Sequence, residues 1–204
     1  MAAARASIVC YYDLISPYTY MGFKLFNRFR KQWPNVDVTF RPMLLGGVMN
    51  IADLDRISGV TGIPFKFPQK FPINSVLPMR VLTALQIHEA DKYEQCIDKD
   101  EYFVHGRDIS QSDVIQQVLR PIFHSDTSKI DSYLQRAAQD QEIKKIFKQY
   151  TDEAIAKGVF GAPTFVVRKA GSEEDLLFFG SDRIEMIAAT LGLPYAGLTS
   201  VSKL

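Results

Sequence analysis

Residues 7–13 hold the short apolar run Ile8-Val9-Cys10-Tyr11-Tyr12 and read as a first strand. Ser16-Pro17 follows, and proline suits the first turn of a helix, where a missing N–H leaves nothing unpaired. Tyr18, Met21, Leu25, Phe26 and Phe29 then recur at helical spacing until Pro34 ends the segment. Residues 36–41, Val36-Asp37-Val38-Thr39-Phe40-Arg41, alternate as a strand with one buried face. Strand, helix, strand in this order requires a right-handed crossover and a parallel pair.

The next stretch is irregular. Gly46-Gly47 is followed by Pro64, Pro68, Pro72 and Pro78, a spacing that forbids one continuous helix and predicts a loop-rich connection. Helical patterns run from about 78 to 157. The clearest places Ile143, Ile146, Phe147, Tyr150 and Ala154 on one face, with Gly158 at the C′ position. Residues 164–167 and 176–179 read as strands, joined as a hairpin around Gly171 and the solvated run Glu173-Glu174-Asp175. Ser181 or Asp182 is expected to cap a last helix through Leu191. The order is βαβ, a helical block, then ββα. Residues 1–63 and 158–204 are expected to form an α/β, thioredoxin-like domain. Residues 64–157 would be its inserted all-helical domain.

Composition narrows the function. The chain has 204 residues, 47% hydrophobic and 23% charged, with a net charge of +1. That balance argues against nucleic acid or an anionic membrane surface as partner. No apolar run reaches membrane-span length. Cys10 and Cys96 form neither a C-x-x-C nor a metal pattern, and His88, His105 and His124 lack partners at metal-ligand spacing, so no metal is expected. Residues 1–7 are too short and too weakly apolar for a signal peptide. Ser202-Lys203-Leu204 at the C-terminus matches a peroxisomal address read by an import receptor.

Four places could carry chemistry, and each also has a plain structural reading. Ser16 before Pro17 is first of all an N-cap. A helix start also offers unpaired N–H groups and the positive end of a dipole, which would stabilise a thiolate, with the Ser16 hydroxyl as a further donor. With Ser16 and Thr19 where a redox site would carry two cysteines, no disulfide can cycle, but another molecule's thiol could be held. Glutathione is the molecule this suggests. Ala162-Pro163 reads by default as a turn with a trans bond. A cis bond there would turn the N–H and C=O of Ala162 outward, to pair with a bound cysteinyl residue like another antiparallel rung. Asp182 with Glu185 is a D-x-x-E capping pattern. N–H groups at the same turn could bind an α-carboxylate while Asp182 holds an ammonium, the two charged groups of a γ-glutamyl end. Phe65, Phe67 and Phe71 read as packing under a loop or as the wall of an electrophile pocket, with Asn50, Arg56 and Lys66 as nearby polar groups.

Several short motifs occur together in order: Tyr12-Asp13-x-x-Ser16-Pro17-Tyr18, Arg41-Pro42, Gly46-Gly47-Val48-Met49, Asp108-Ile109-Ser110, Gly158-Val159-Phe160-Gly161-Ala162-Pro163 and Gly180-Ser181-Asp182-Arg183. Together they cover about residues 8–191, and through them the chain resembles the kappa-class glutathione transferases and the related 2-hydroxychromene-2-carboxylate isomerases. The resemblance implies a DsbA-like thioredoxin fold with a helical insertion, a homodimer, and glutathione as co-substrate. It implies that Ser16 hydrogen-bonds the glutathione sulfur and that Pro163 is a cis-proline preceded by Ala162. Ser181 and Asp182 would clamp the γ-glutamyl group, with Pro17, Tyr18 and Asn50 also at the glutathione site. It agrees with a peroxisomal location, with the mitochondrion as the other compartment of the class. The reaction expected is thiolate attack on a small apolar electrophile, with hydroperoxide reduction as a second chemistry. The rivals are a glutathione-dependent isomerase of aromatic keto-acids and a non-catalytic thiol- or partner-binding thioredoxin-fold protein.

Overall fold

A computed structural model describes residues 5–44, 54–97 and 101–197. Asn50, the Gly46–Met49 motif and the Ser202-Lys203-Leu204 tripeptide lie outside these described residues. The strands are β1 (Ala6–Tyr12), β2 (Val36–Pro42), β3 (Thr164–Arg168) and β4 (Leu176–Phe179). They form one sheet in the order β2-β1-β3-β4. β1 runs parallel to β2, with Cys10 opposite Phe40, and antiparallel to β3, with Cys10 opposite Phe165. β4 closes the hairpin with β3 and is one edge of the sheet, with β2 the other.

Helix α1 (Pro17–Arg30) crosses from β1 to β2. Its buried face includes Met21, Phe23, Leu25, Phe26 and Phe29. Phe26 stacks on Phe165 at 5.4 Å between ring centroids and meets Phe40 and Trp33 edge-on. Sheet alternation divides the packing. Ile8, Cys10 and Tyr12 join the main core with α1, while Tyr11 faces the other way with Met43, Ala154, Ala162 and Val166. Burial pushes the Cys10 thiol pKa up, so Cys10 is a neutral core residue rather than a nucleophile.

Between β2 and β3 come α2 (Leu54–Thr61), α3 (Val76–His88), α4 (Ala90–Ile97), α5 (Ser112–Ile122), α6 (Thr127–Gln139) and α7 (Gln141–Ala156). The stretch read as loop-rich therefore contains a helix, α2, in which only Leu54 and Thr61 are buried. Pro78 is the third residue of α3, inside the first turn, where no intrahelical N–H bond is lost. α7 buries Ile143, Phe147 and Ala154. It ends as its glycine implies, with φ +78° at Gly158 and bonds from Gly158 N to Ile155 O and from Val159 N to Ala154 O. Arg41 on β2 pairs with Glu153 on α7, and the Tyr11 hydroxyl donates to the same carboxylate at 2.7 Å, so α7 is fastened to the sheet's second face.

After β4 a short 3-10 turn (Ser181–Arg183) leads into α8 (Ile184–Leu191). The expected cap differs. Gly180, with φ +111°, precedes the turn, and neither Ser181 nor Asp182 makes a capping bond. That φ is one that side chains rarely adopt, so this entry favours glycine.

Candidate functional site

The site is built at the end of β1. Asp13 is completely buried. Its Oδ1 accepts from Ile15 N at 3.1 Å, its Oδ2 accepts from Ser75 Oγ at 3.0 Å, and its carbonyl accepts from Ser16 N at 3.1 Å. One carboxylate thus shapes the β1–α1 loop and ties it to the start of α3. The loop delivers Ser16 as the N-cap of α1, with φ −83° and ψ 114°, and Pro17 at the first helical position. Ser16 Oγ accepts from Thr19 N at 3.1 Å, which is the capping bond expected of it.

The same hydroxyl has a second bond that reaches 146 residues along the chain. Ser16 Oγ donates to Ala162 O at 2.9 Å. Ser16 itself has no exposed surface. The Ala162–Pro163 bond is cis. The Ala162 carbonyl is therefore not turned outward but engaged by Ser16, while its N–H has no hydrogen-bond partner among the described residues. Pro163 O accepts from Gly180 N at 3.0 Å, and Gly161 O accepts from the Thr164 hydroxyl at 2.7 Å. The loop is held on both sides.

Gly22 brings the third element in. A Cβ there would stand 3.0 Å from Pro163 Cγ, 3.1 Å from Ser181 Cβ and 3.3 Å from Ser181 Cα. A side chain there would force the proline loop or the 3-10 turn to give way by roughly a few tenths of an ångström, so glycine lets α1 lie this close to both. Sequence reasoning assigned Gly22 no role, although an isolated glycine inside a helical pattern is itself a signal of close packing. Gly22→Ala should gain up to about 1 kcal/mol of helix propensity and lose roughly 1–3 kcal/mol to overpacking. A lower urea midpoint and a raised KM for glutathione are expected; a stabilised variant with unchanged KM would remove Gly22 from the site.

The sequence-derived candidates are thus partly convergent. Ser16, Pro17, Ala162, Pro163 and Ser181 are buried around the start of α1, and Tyr18 is part-buried against the core. Asp182 is exposed, its carboxylate 3.3 Å from the neighbouring Arg183 guanidinium. Phe65, Phe67 and Phe71 are half-buried, Phe65 stacking on Phe103 at 5.7 Å and Phe67 meeting Phe71 at 5.0 Å. These ring contacts join Phe65, Phe67 and Phe71 into one aromatic group. Lys66 and Arg56 are exposed. Asp13, which sequence reasoning left without a role, is the residue that sets the loop.

A four-stranded mixed sheet, a polar N-cap after its first strand and a cis-proline beside it define a thioredoxin-type fold. The family model described as a DSBA-like thioredoxin domain matches residues 7–192, and the chain belongs to that family. Among curated relatives, it is 27% identical to "Glutathione s-transferase kappa 2" of Caenorhabditis elegans, covering 95% of both chains. It is 26% identical to "Glutathione S-transferase kappa 1" of Homo sapiens, covering 97% of this chain and 96% of that one. Among solved structures, a 2-hydroxychromene-2-carboxylate isomerase superposes with a TM-score of 0.70 at 19% identity, over 91% of this chain and 94% of the other. The cytosolic disulfide reductase DsbM from Pseudomonas aeruginosa, solved with GSH, superposes at 0.65 and 14% identity, covering 91% and 96%. These two likenesses establish the fold alone.

Proposed function

We propose that this chain is a glutathione transferase of the kappa type, with Ser16 as the residue that holds the glutathione sulfur as a thiolate. The observation that carries the reading is the meeting of Ser16 Oγ and the α1 N-terminus with the Ala162 carbonyl, whose own residue has an N–H without a hydrogen-bond partner among the described residues. The near full-length similarity to two proteins named for that activity gives the co-substrate. The Ala162 N–H would pair with the cysteinyl carbonyl, and Asp182 would hold the γ-glutamyl ammonium.

Binding must change the Ser16 hydroxyl. In the ligand-free arrangement it donates its hydrogen bond to Ala162 O. A charge-assisted bond to a thiolate is roughly twice as strong as a neutral one, so exchanging partners favours the ionised sulfur once the site opens to admit it. The thiol loses its proton to solvent. The sulfur attacks the electrophilic carbon, and for an aryl halide the carbon–halogen bond breaks and halide leaves. The serine forms no covalent bond.

We further propose a homodimer, and a peroxisomal location through Ser202-Lys203-Leu204. The direct test of the reading is an ultraviolet difference titration of bound glutathione against pH. The bound thiol should ionise about two pH units below the ordinary thiol range. Ionisation at the ordinary pH would leave a binding protein without transferase chemistry. Turnover that leaves glutathione unconsumed would indicate an isomerase.

A further inference from the structure

The rest of the chain treats the two edges of the sheet differently. At β2 the Phe40 carbonyl accepts from Gln86 Nε2 and from the Tyr93 hydroxyl at 3.3 Å, so side chains of α3 and α4 cover that edge. β4, Leu176-Leu177-Phe178-Phe179, carries none of the charges, prolines or bulges that usually blunt an edge, and its register with β3 is unbroken. Gly180 N bonds Pro163 O. By antiparallel alternation, Leu176 and Phe178 therefore aim their peptide groups at β3, while Leu177 and Phe179 aim theirs outward. Of these outward groups only Phe179 O has a partner among the described residues, Arg183 Nε at 3.4 Å.

The side chains agree with the backbone. Leu176 and Phe178 pack against the main core, while Leu177 and Phe179 on the other face are 39% and 43% exposed. Phe160 lies on the Phe179 ring at 4.7 Å between centroids and is 73% exposed. These two rings alone leave roughly 200 Å² in water. Contiguous apolar exposure on this scale, beside unpaired peptide groups, marks a contact surface. Charge runs along the strand as well. Glu173 and Glu174 precede it and Arg183 follows it, so an antiparallel copy of the same strand brings an acidic end to the Arg183 end twice over.

We infer that the β4 edge docks a second copy of this chain, antiparallel about a twofold axis at Phe178, so that two four-stranded sheets run on as one of eight strands. This rests on the homodimer proposed above and names its surface. In that register Leu177 and Phe179 of the partner subunit exchange both peptide hydrogen bonds, and the symmetric pair does the same. Opposed residues share a face, so Leu177 of each copy lies beside Phe179 of the other, and the two Phe160 rings border the seam. The pairing satisfies the outward groups of Leu177 and Phe179 and covers the exposed rings in one step. The ring surface is well short of the roughly 800 Å² per partner of a standard interface, so the dimer should dissociate in the micromolar range.

The test is sedimentation velocity on the full chain across micromolar concentrations, with two variants at one position. Leu177→Pro removes an outward N–H and no bond to β3. Leu177→Lys sets an ammonium in the apolar seam. Each should raise the dimer dissociation constant about 30-fold or more, the loss a central interface residue carries. Far-ultraviolet circular dichroism should stay as in wild type. Val60→Lys, at an exposed apolar residue of α2, should leave the dimer unchanged. Phe178→Cys in a Cys96→Ser background should give a disulfide-linked dimer on mild oxidation, because the axis sets the two 178 positions opposite each other. A folded, dimeric Phe178→Cys protein that does not link overturns the register; if that variant does not fold, the Leu177 variants decide. A wild-type dimer that both Leu177 variants retain overturns this surface and leaves the homodimer standing. A wild type that stays monomeric overturns both, and the glutathione reading is untouched by either result.

Discussion

Ser16→Ala is expected to lower kcat/KM for glutathione conjugation about 100-fold, as removal of one preorganised donor to a developing or fixed anion does elsewhere. The bound thiol should then titrate closer to its ordinary range. Part of the change will be structural. The variant loses the cap on Thr19 N, about 1 kcal/mol, and leaves the Ala162 carbonyl buried without its donor, roughly another 1–3 kcal/mol. Urea unfolding separates the two effects. A folded variant with lost turnover and a raised thiol pKa supports the assignment. A folded variant with near-normal rates would leave Ser16 as a cap and loop fastener only.

Asp13→Ala carries the largest expected stability effect. The carboxylate is fully buried and accepts from Ile15 N and Ser75 Oγ. Removing it leaves both donors unsatisfied and creates a void, a combination worth roughly 2–5 kcal/mol. Against a total of about 5–15 kcal/mol, that is a large share. The urea midpoint should fall with an unchanged slope, and Asp13→Asn, which keeps one acceptor oxygen, should fall less. A midpoint within error of wild type would show that water replaces the carboxylate at the β1–α1 loop.

What could be read from sequence follows physical range. The β1, α1, β2 and hairpin patterns are local, and each element sits where its hydrophobic period placed it. α2 escaped because only Leu54 and Thr61 of its eight residues are buried, which leaves almost no periodic signal. Ser16 as a cap was legible, since cap and helix are neighbours in the chain. Its second bond, to Ala162, was not, because nothing local announces a contact across 146 residues. The same limit explains Asp13, whose partner Ser75 lies 62 residues away. The capping pattern at Asp182 failed for a local reason. Gly180 enters with φ +111° and leads into a 3-10 turn, and Asp182 makes none of the capping bonds that a D-x-x-E pattern assumes.

The strand order has a consequence for how the molecule is made. β1 is central, yet the strand that completes its second side is β3, which begins at Thr164. During synthesis, β1, α1 and β2 emerge first and can pair, while the free side of β1 waits for more than 120 further residues to be added after β2. Throughout that interval the nascent chain presents an open, apolar strand edge, the kind of surface that pairs wrongly or recruits chaperones. The Ser16–Ala162 bond can form only after this wait ends, so the protein acquires its candidate site as one of the last events of its biogenesis.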